Sequence, residues 1–159
     1  MDAVRWLTPE QLRSWIRFEA VIELMPAALD SQLQHDAQLT HFEYVVLSRL
    51  SEAPERVLRM TELAVTTNAT PPRLSHVVTR LESRGFVERI PCPGDRRATN
   101  AHLTEAGWQK VVATAPGHVQ TVRDHVVDLL SDEQLDQLGV IMETLLQKLD
   151  PGNSLKRDV

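Results

Sequence analysis

A mainly α-helical fold with a single small β-hairpin is predicted by this 159-residue sequence. Helix-start signals open long apolar stripes near both chain ends. In the middle, a helix with a cap-then-proline start closes on Gly85. Two short β-prone segments flank the turn-forming run Pro-Cys-Pro-Gly at 91–94. The length suits one domain, 1–159, with one substantial core.

Thr8-Pro9-Glu10-Gln11 opens the first helix: threonine caps, proline suits the first helical position, and Gln11 stands where a capping box needs it. Its apolar stripe runs Leu12, Trp15, Ile16, Val21, Ile22, Met25, Leu29 and Leu33, and Pro26 is expected to kink or split it. Thr40 opens a second helix that ends before Pro54. Residues 56–60 read as one short strand, 61–67 as a short helix, and Asn68-Ala69 as a turn. Thr70-Pro71-Pro72 starts a helix over 71–84 whose Leu74, Val77, Val78 and Leu81 share one face. Gly85 suits the left-handed residue after a helix end. Residues 86–90 and 98–103 read as the hairpin strands, joined by the loop between them. A long helix from Thr104 to about Leu130 is expected to bend at Pro116-Gly117. Ser131-Asp-Glu-Gln134 is a capping box for the last helix, and the tail 151–159 is expected to be disordered.

Two short helices followed by a hairpin make 40–104 a winged helix-turn-helix lobe. The apolar helices at 1–35 and 104–150 are too large for that lobe to cover, so they are expected to be dimerisation helices of a two-fold homodimer.

Composition narrows the class. An apolar fraction of 42% and a charged fraction of 25% suit a folded soluble protein. Cys92 is the only cysteine, so no internal disulfide forms. The first residues lack the layout of a signal peptide and no apolar run suits a bilayer, so a cytoplasmic protein without membrane contact is expected. No zinc-protease, phosphate-loop or nucleophile-elbow motif is present; no enzyme activity, cofactor or metal is expected. His118 and His125 are spaced too widely on one helix for an i, i+4 metal pair.

The chain is acidic, −5 overall. Between 71 and 97, however, six arginines face three carboxylates, a local +3 that leaves −8 for the remainder. The polar face of the 71–84 helix shows Arg73, Ser75, His76, Thr79, Arg80, Ser83 and Arg84. Cations and short hydroxyls suit a helix laid in the major groove of double-stranded DNA, whereas a solvated helix face is the plainer alternative. The helix-turn-helix before it and the arginine-tipped hairpin after it favour DNA.

Leu63-Ala64, Arg80-Leu81-Glu82, Gly85-Phe86-Val87-Glu88-Arg89, Asp95-Arg96-Arg97 and Leu103-Thr104-Glu105-Ala106-Gly107 together resemble the multiple-antibiotic-resistance regulator (MarR) family of bacterial transcription factors. The resemblance extends over nearly the whole chain. It implies a homodimer that represses transcription from a near-palindromic operator and is released by a small aromatic, phenolic or lipophilic effector. It also assigns Arg97 to the minor groove, with Asp95 bracing it, while Arg96 is expected to contact phosphate. Family members often carry Ser-Arg where this chain has Ser75-His76, which leaves the bases read undetermined. The effector cleft is expected among Trp15, Phe18, His41, Tyr44 and Trp108, with simple core filling as the alternative. Cys92 suggests a redox-responsive regulator as an alternative function, but it lies in the wing with no resolving cysteine, and an inert thiol is favoured. A winged-helix protein-interaction module without DNA binding is the other alternative.

Overall fold

A computed structural model describes residues 4–155, apart from the Arg96 side chain. Six helices and a three-stranded sheet follow in the order α1 (Pro9–Ala37), α2 (His41–Glu52), β1 (Val57–Arg59), α3 (Met60–Thr66), α4 (Pro71–Ser83), β2 (Val87–Cys92), β3 (Asp95–Leu103), α5 (Glu105–His125) and α6 (Asp132–Leu149). The winged-helix architecture expected from the sequence is the one observed.

Local signals set most helix starts. Thr8 and Gln11 form a reciprocal capping box, as do Ser131 and Gln134. Thr40 forms a third with Glu43. The Thr70 and Thr104 hydroxyls cap α4 and α5. Each box satisfies amide donors that the first helical turn leaves without partners. Neither interior proline divides its helix: α1 runs through Pro26 and α5 through Pro116. The long helix instead ends at His125, where Val126 leaves helical dihedrals (φ −138°, ψ −64°) before a single 3-10 turn, Val127–Leu129.

The sheet has the order β1-β3-β2, all antiparallel, with Leu58 opposite Ala101 and Val87 opposite Leu103. The strands of the hairpin are longer than the sequence suggested. Only Pro93 and Gly94 (φ +83°) lie between them, the proline-then-glycine pair that a type II turn favours. Asp95, Arg96 and Arg97 therefore belong to β3 rather than to a loop. Pro91 is accommodated because β2 is an edge strand, and because the ladder is irregular there. Pro91 pairs with Thr99 but the next residue, Cys92, pairs with Asp95. Residues 96–98 thus bulge out of register, which bends a strand and re-aims its side chains.

Leu47, Leu50, Leu63, Leu74, Val78, Leu81, Val87 and Leu103 fill the core between α2, α3, α4 and the sheet. Leu33 and Ala37 bring in the end of α1, and Val111 brings in α5. Gly107 sets how closely α5 approaches the hairpin: a Cβ there would lie 2.1 Å from the Phe86 carbonyl oxygen. By contrast, α6 buries no residue, and Trp15, Ile16, Ile22, Val119, Val140 and Ile141 are exposed on the outer helices.

The segment after α6, expected to be disordered, is held as far as Leu155. Asp150 Oδ1 accepts from the Ser154 amide at 3.0 Å and Asp150 Oδ2 from the Leu155 amide at 2.8 Å. Arg49 donates to the Leu155 carbonyl at 2.7 Å. Residues 156–159 lie outside the described residues.

Candidate nucleic-acid interface

The α4 helix buries Leu74, Val77, Val78 and Leu81 and leaves Arg73, Ser75, His76, Thr79, Arg80 and Arg84 exposed, as its periodicity dictates. The polar atoms of that face are unevenly committed. Arg80 reaches back to α2, where its Nη2 donates to Glu43 Oε1 at 2.6 Å and its Nε to the same oxygen at 3.1 Å. Glu43 is buried, with its second oxygen accepting from the Thr40 amide at 2.7 Å. Burial alone would raise its carboxyl pKa. The Thr40 amide and the Arg80 guanidinium outweigh burial and hold it below the ordinary glutamate value.

Ser75 and Thr79 are engaged from the wing. On β2, Arg89 shares a sheet face with buried Val87, which aims it at α4. Its Nη2 donates to the Ser75 carbonyl at 3.0 Å, to Ser75 Oγ at 3.3 Å and to Thr79 Oγ1 at 3.1 Å. Its Nη1 pairs with Glu82 Oε2, and its amide donates to Glu82 Oε1 at 3.0 Å. This guanidinium fastens the hairpin to the polar face of α4. Arg73 lies over the Phe42 ring at 4.0 Å and Arg84 over the Phe86 ring at 4.9 Å, each cation stacked yet still exposed. His76 is exposed and makes no hydrogen bond or ion pair among the described residues.

On β3, Asp95 Oδ1 accepts from the Arg97 amide at 3.0 Å. The brace therefore acts on the backbone of Arg97 and leaves its exposed side chain clear. The Arg96 side chain is outside the described residues.

The five residues expected to line an effector cleft fall into three places within one chain. Trp15 and Phe18 pair with each other, ring centroids 6.1 Å apart. His41 and Tyr44 gather around His118, at 6.2 and 4.7 Å. Trp108 receives the Arg56 guanidinium at 4.4 Å. Phe18 stands twelve residues before Asp30, whose carboxylate accepts from the His41 amide at 2.8 Å; along α1 that is about 18 Å. The length of α1 separates them. Burial lowers the His41 pKa, and the Asp30 charge opposes the shift. The Cys92 thiol is buried, 3.7 Å from the Pro93 carbonyl oxygen. No cluster of metal-ligating side chains occurs among the described residues, and none of their helices is long and apolar enough to cross a membrane.

Sequence reasoning missed Glu43 and the clamping role of Arg89. The first had a readable signal, the Thr-x-x-Glu capping box at 40–43. Arg89 had only its alternation with Val87 along one strand.

A family model described as the MarR family matches residues 39–99. The whole chain is similar to Sco3205, a MarR family transcriptional regulator from Streptomyces coelicolor whose crystal structure is a complex with DNA. The two are 45% identical over 95% of this chain and 94% of that one, with a TM-score of 0.90. AbsC, a MarR family transcriptional regulator from the same organism, is 37% identical over 92% of this chain and 98% of its own, with a TM-score of 0.87. A MarR variant from E. coli complexed with operator DNA is 21% identical over 89% of this chain and 99% of its own; its TM-score of 0.76 marks a shared fold. With two such regulators more than a third identical along almost their entire length, the chain belongs to the MarR family of transcriptional regulators.

Proposed function

We propose that the protein is a homodimeric DNA-binding repressor of a near-palindromic operator. The observation that carries this reading is the exposed face of α4, with Arg73, His76 and Arg84 presented beside a wing whose Arg97 is exposed and backbone-braced. A helix of this width and charge fits a major groove, and a guanidinium on a bent strand fits the adjoining minor groove, where the negative potential is enhanced. The DNA complex of Sco3205 supports the same role here.

Support for the dimer comes from the exposed apolar residues of α1, α5 and α6, which no described residue covers. A two-fold axis through those helices sets two copies of α4 about one helical turn of DNA apart, near 34 Å. Release by a small aromatic or lipophilic effector belongs to the same reading. Because Trp15 and Phe18 stand far from His41 and Tyr44 in one chain, a cleft using all four is completed only by the second copy. Burial of the Cys92 thiol disfavours the redox alternative.

Fluorescence anisotropy with the DNA upstream of the protein's own gene, against a scrambled duplex, tests the reading. Salt-dependent preference for the upstream duplex, with a footprint of two symmetric half-sites, is expected. Equal affinity for both duplexes, or no binding at low salt, would sink it.

A further inference from the structure

We propose that a notch at the root of the wing seats one backbone phosphate of bound DNA, with Arg59 as a DNA-contact residue; this rests on the DNA-binding reading above. The notch has a volume of about 320 Å³ and is lined by Arg59, Thr61, Ser75, Arg89, Arg97 and Thr99 among its polar residues. Three arginines and three hydroxyl-bearing residues line it, and no acidic residue does among the described residues.

The arginines differ in what already neutralises them. Arg89 is committed to Glu82 and to the Ser75 and Thr79 oxygens, so it forms a fixed floor. Elsewhere in the lobe Arg49, Arg56 and Arg80 pair with Glu52, Glu105 and Glu43. Arg59 and Arg97 are exposed and have no carboxylate partner among the described residues. Arg59, standing at a hydroxyl-lined notch, has no anion among the described residues to neutralise it, and a guanidinium fork matches phosphate oxygens.

Position selects the source of the phosphate. Arg59 ends β1, opposite Asn100, directly before α3. Pro71 and Ser75 bring the first turns of α4 to the same notch, and the 96–98 bulge brings in the wing. With α4 in a major groove and the wing in the neighbouring minor groove, the strand between the two grooves runs past this point. A phosphate there fixes the register of the protein on the duplex and carries no base information.

The test compares wild type, Arg59→Ala and Arg59→Lys on operator and random duplexes across a salt series. Arg59→Ala is expected to weaken both duplexes by a similar factor, roughly tenfold. The salt slope of the dimer should fall by about 2, one phosphate per subunit. Arg59→Lys is expected to recover most of the slope. Operators carrying single uncharged methylphosphonates then locate the contact: one position per half-site should weaken wild type and leave Arg59→Ala unaffected. Unchanged thermal unfolding of the variants excludes a folding defect. Wild-type slope in Arg59→Ala, or equal sensitivity of both proteins at every methylphosphonate position, overturns the proposal while leaving operator binding intact. Inorganic phosphate exchanged for chloride at constant ionic strength distinguishes a free anion. Arg59-dependent competition without a methylphosphonate signal would make the notch a free-anion site and refute the DNA contact. Failure of wild type itself to bind DNA refutes the underlying reading instead.

Discussion

Replacing Arg80 separates two roles for a residue that stands on the exposed face of α4 yet is hydrogen-bonded to α2. The Glu43 side chain is 5% exposed and Arg80 is 45% exposed. Removing the arginine leaves a buried carboxylate with the Thr40 amide as its remaining hydrogen-bond donor. Breaking a fully buried pair costs about 3–5 kcal/mol. Since Arg80 is nearly half in water, the attraction is partly screened, and about 2–3 kcal/mol is expected for Arg80→Ala. Glu43→Ala loses the return bond of the capping box, about 1 kcal/mol, but frees an arginine that can hydrate. A similar total of about 2 kcal/mol follows once its lost charge-assisted bonds are added. The double variant should be less destabilised than the two single losses combined, with a coupling of about 1–2 kcal/mol.

Urea unfolding followed by circular dichroism at one fixed protein concentration measures these values. The pH dependence supplies an independent check. With its folded pKa depressed, Glu43 contributes stability that is present above the ordinary glutamate value, about 4.3, and is lost as pH falls through the lower folded value. Arg80→Ala removes one cause of the depression, so its acid unfolding should begin at higher pH than in wild type. Operator affinity of the folded variant is expected to change less than about threefold, roughly 0.6 kcal/mol. A wild-type unfolding midpoint combined with a large loss of operator affinity would refute this reasoning and make Arg80 a DNA contact.

Arg97→Ala is expected to cost operator binding roughly 1–3 kcal/mol per subunit and to flatten the salt dependence; anisotropy titration reads both. Asp95→Ala should cost less, and nothing further once Arg97 is alanine, because its bond to the Arg97 amide matters to DNA only through the guanidinium that amide positions. Arg89→Ala should weaken operator DNA more than random DNA, since the wing loses its tie to α4, and Arg89→Lys should fail to restore a three-acceptor fork; paired titrations on the two duplexes decide it. Sedimentation at micromolar concentration should show a dimer. Charged substitutions at Ile16 and Ile141 should release monomers or unfolded chain, whereas a folded wild-type monomer would contradict the reading of the outer helices.

The features that could be read from the sequence are those whose cause lies within a few residues. Thr8 with Gln11, Ser131 with Gln134, and Thr70 before Pro71 each announce a helix because the cap and the amide that donates to it are three residues apart. Gly85 takes its positive φ of 75° just past α4 for the same local reason. The wing boundaries were misplaced because strand ends depend on pairing. Pro91 looks like a strand breaker until β2 is known to be an edge. The tail beyond α6 reads as disordered because its partner, Arg49, is 106 residues from Leu155. The break after His125 has no comparable local signal, since Val126 carries no turn chemistry.

The same limit governs the charges. Counting residues 71–97 gives six arginines and a local excess of +3, which marks this stretch as the positive one. A count cannot say which cations remain available to a polyanion, because that depends on carboxylates brought in from elsewhere. Glu43, 37 residues from Arg80, pairs with one of these arginines, and Glu82 pairs with Arg89. Arg59 lies outside the counted stretch, yet it stands at the same notch as Arg97 without a carboxylate partner among the described residues. Ion pairs thus tie α2 to α4 and α4 to the wing, and the arginines left over are the ones without a carboxylate partner to compete with a phosphate backbone. An acidic protein needs only those few unneutralised guanidinium groups, placed by the paired ones, to engage DNA.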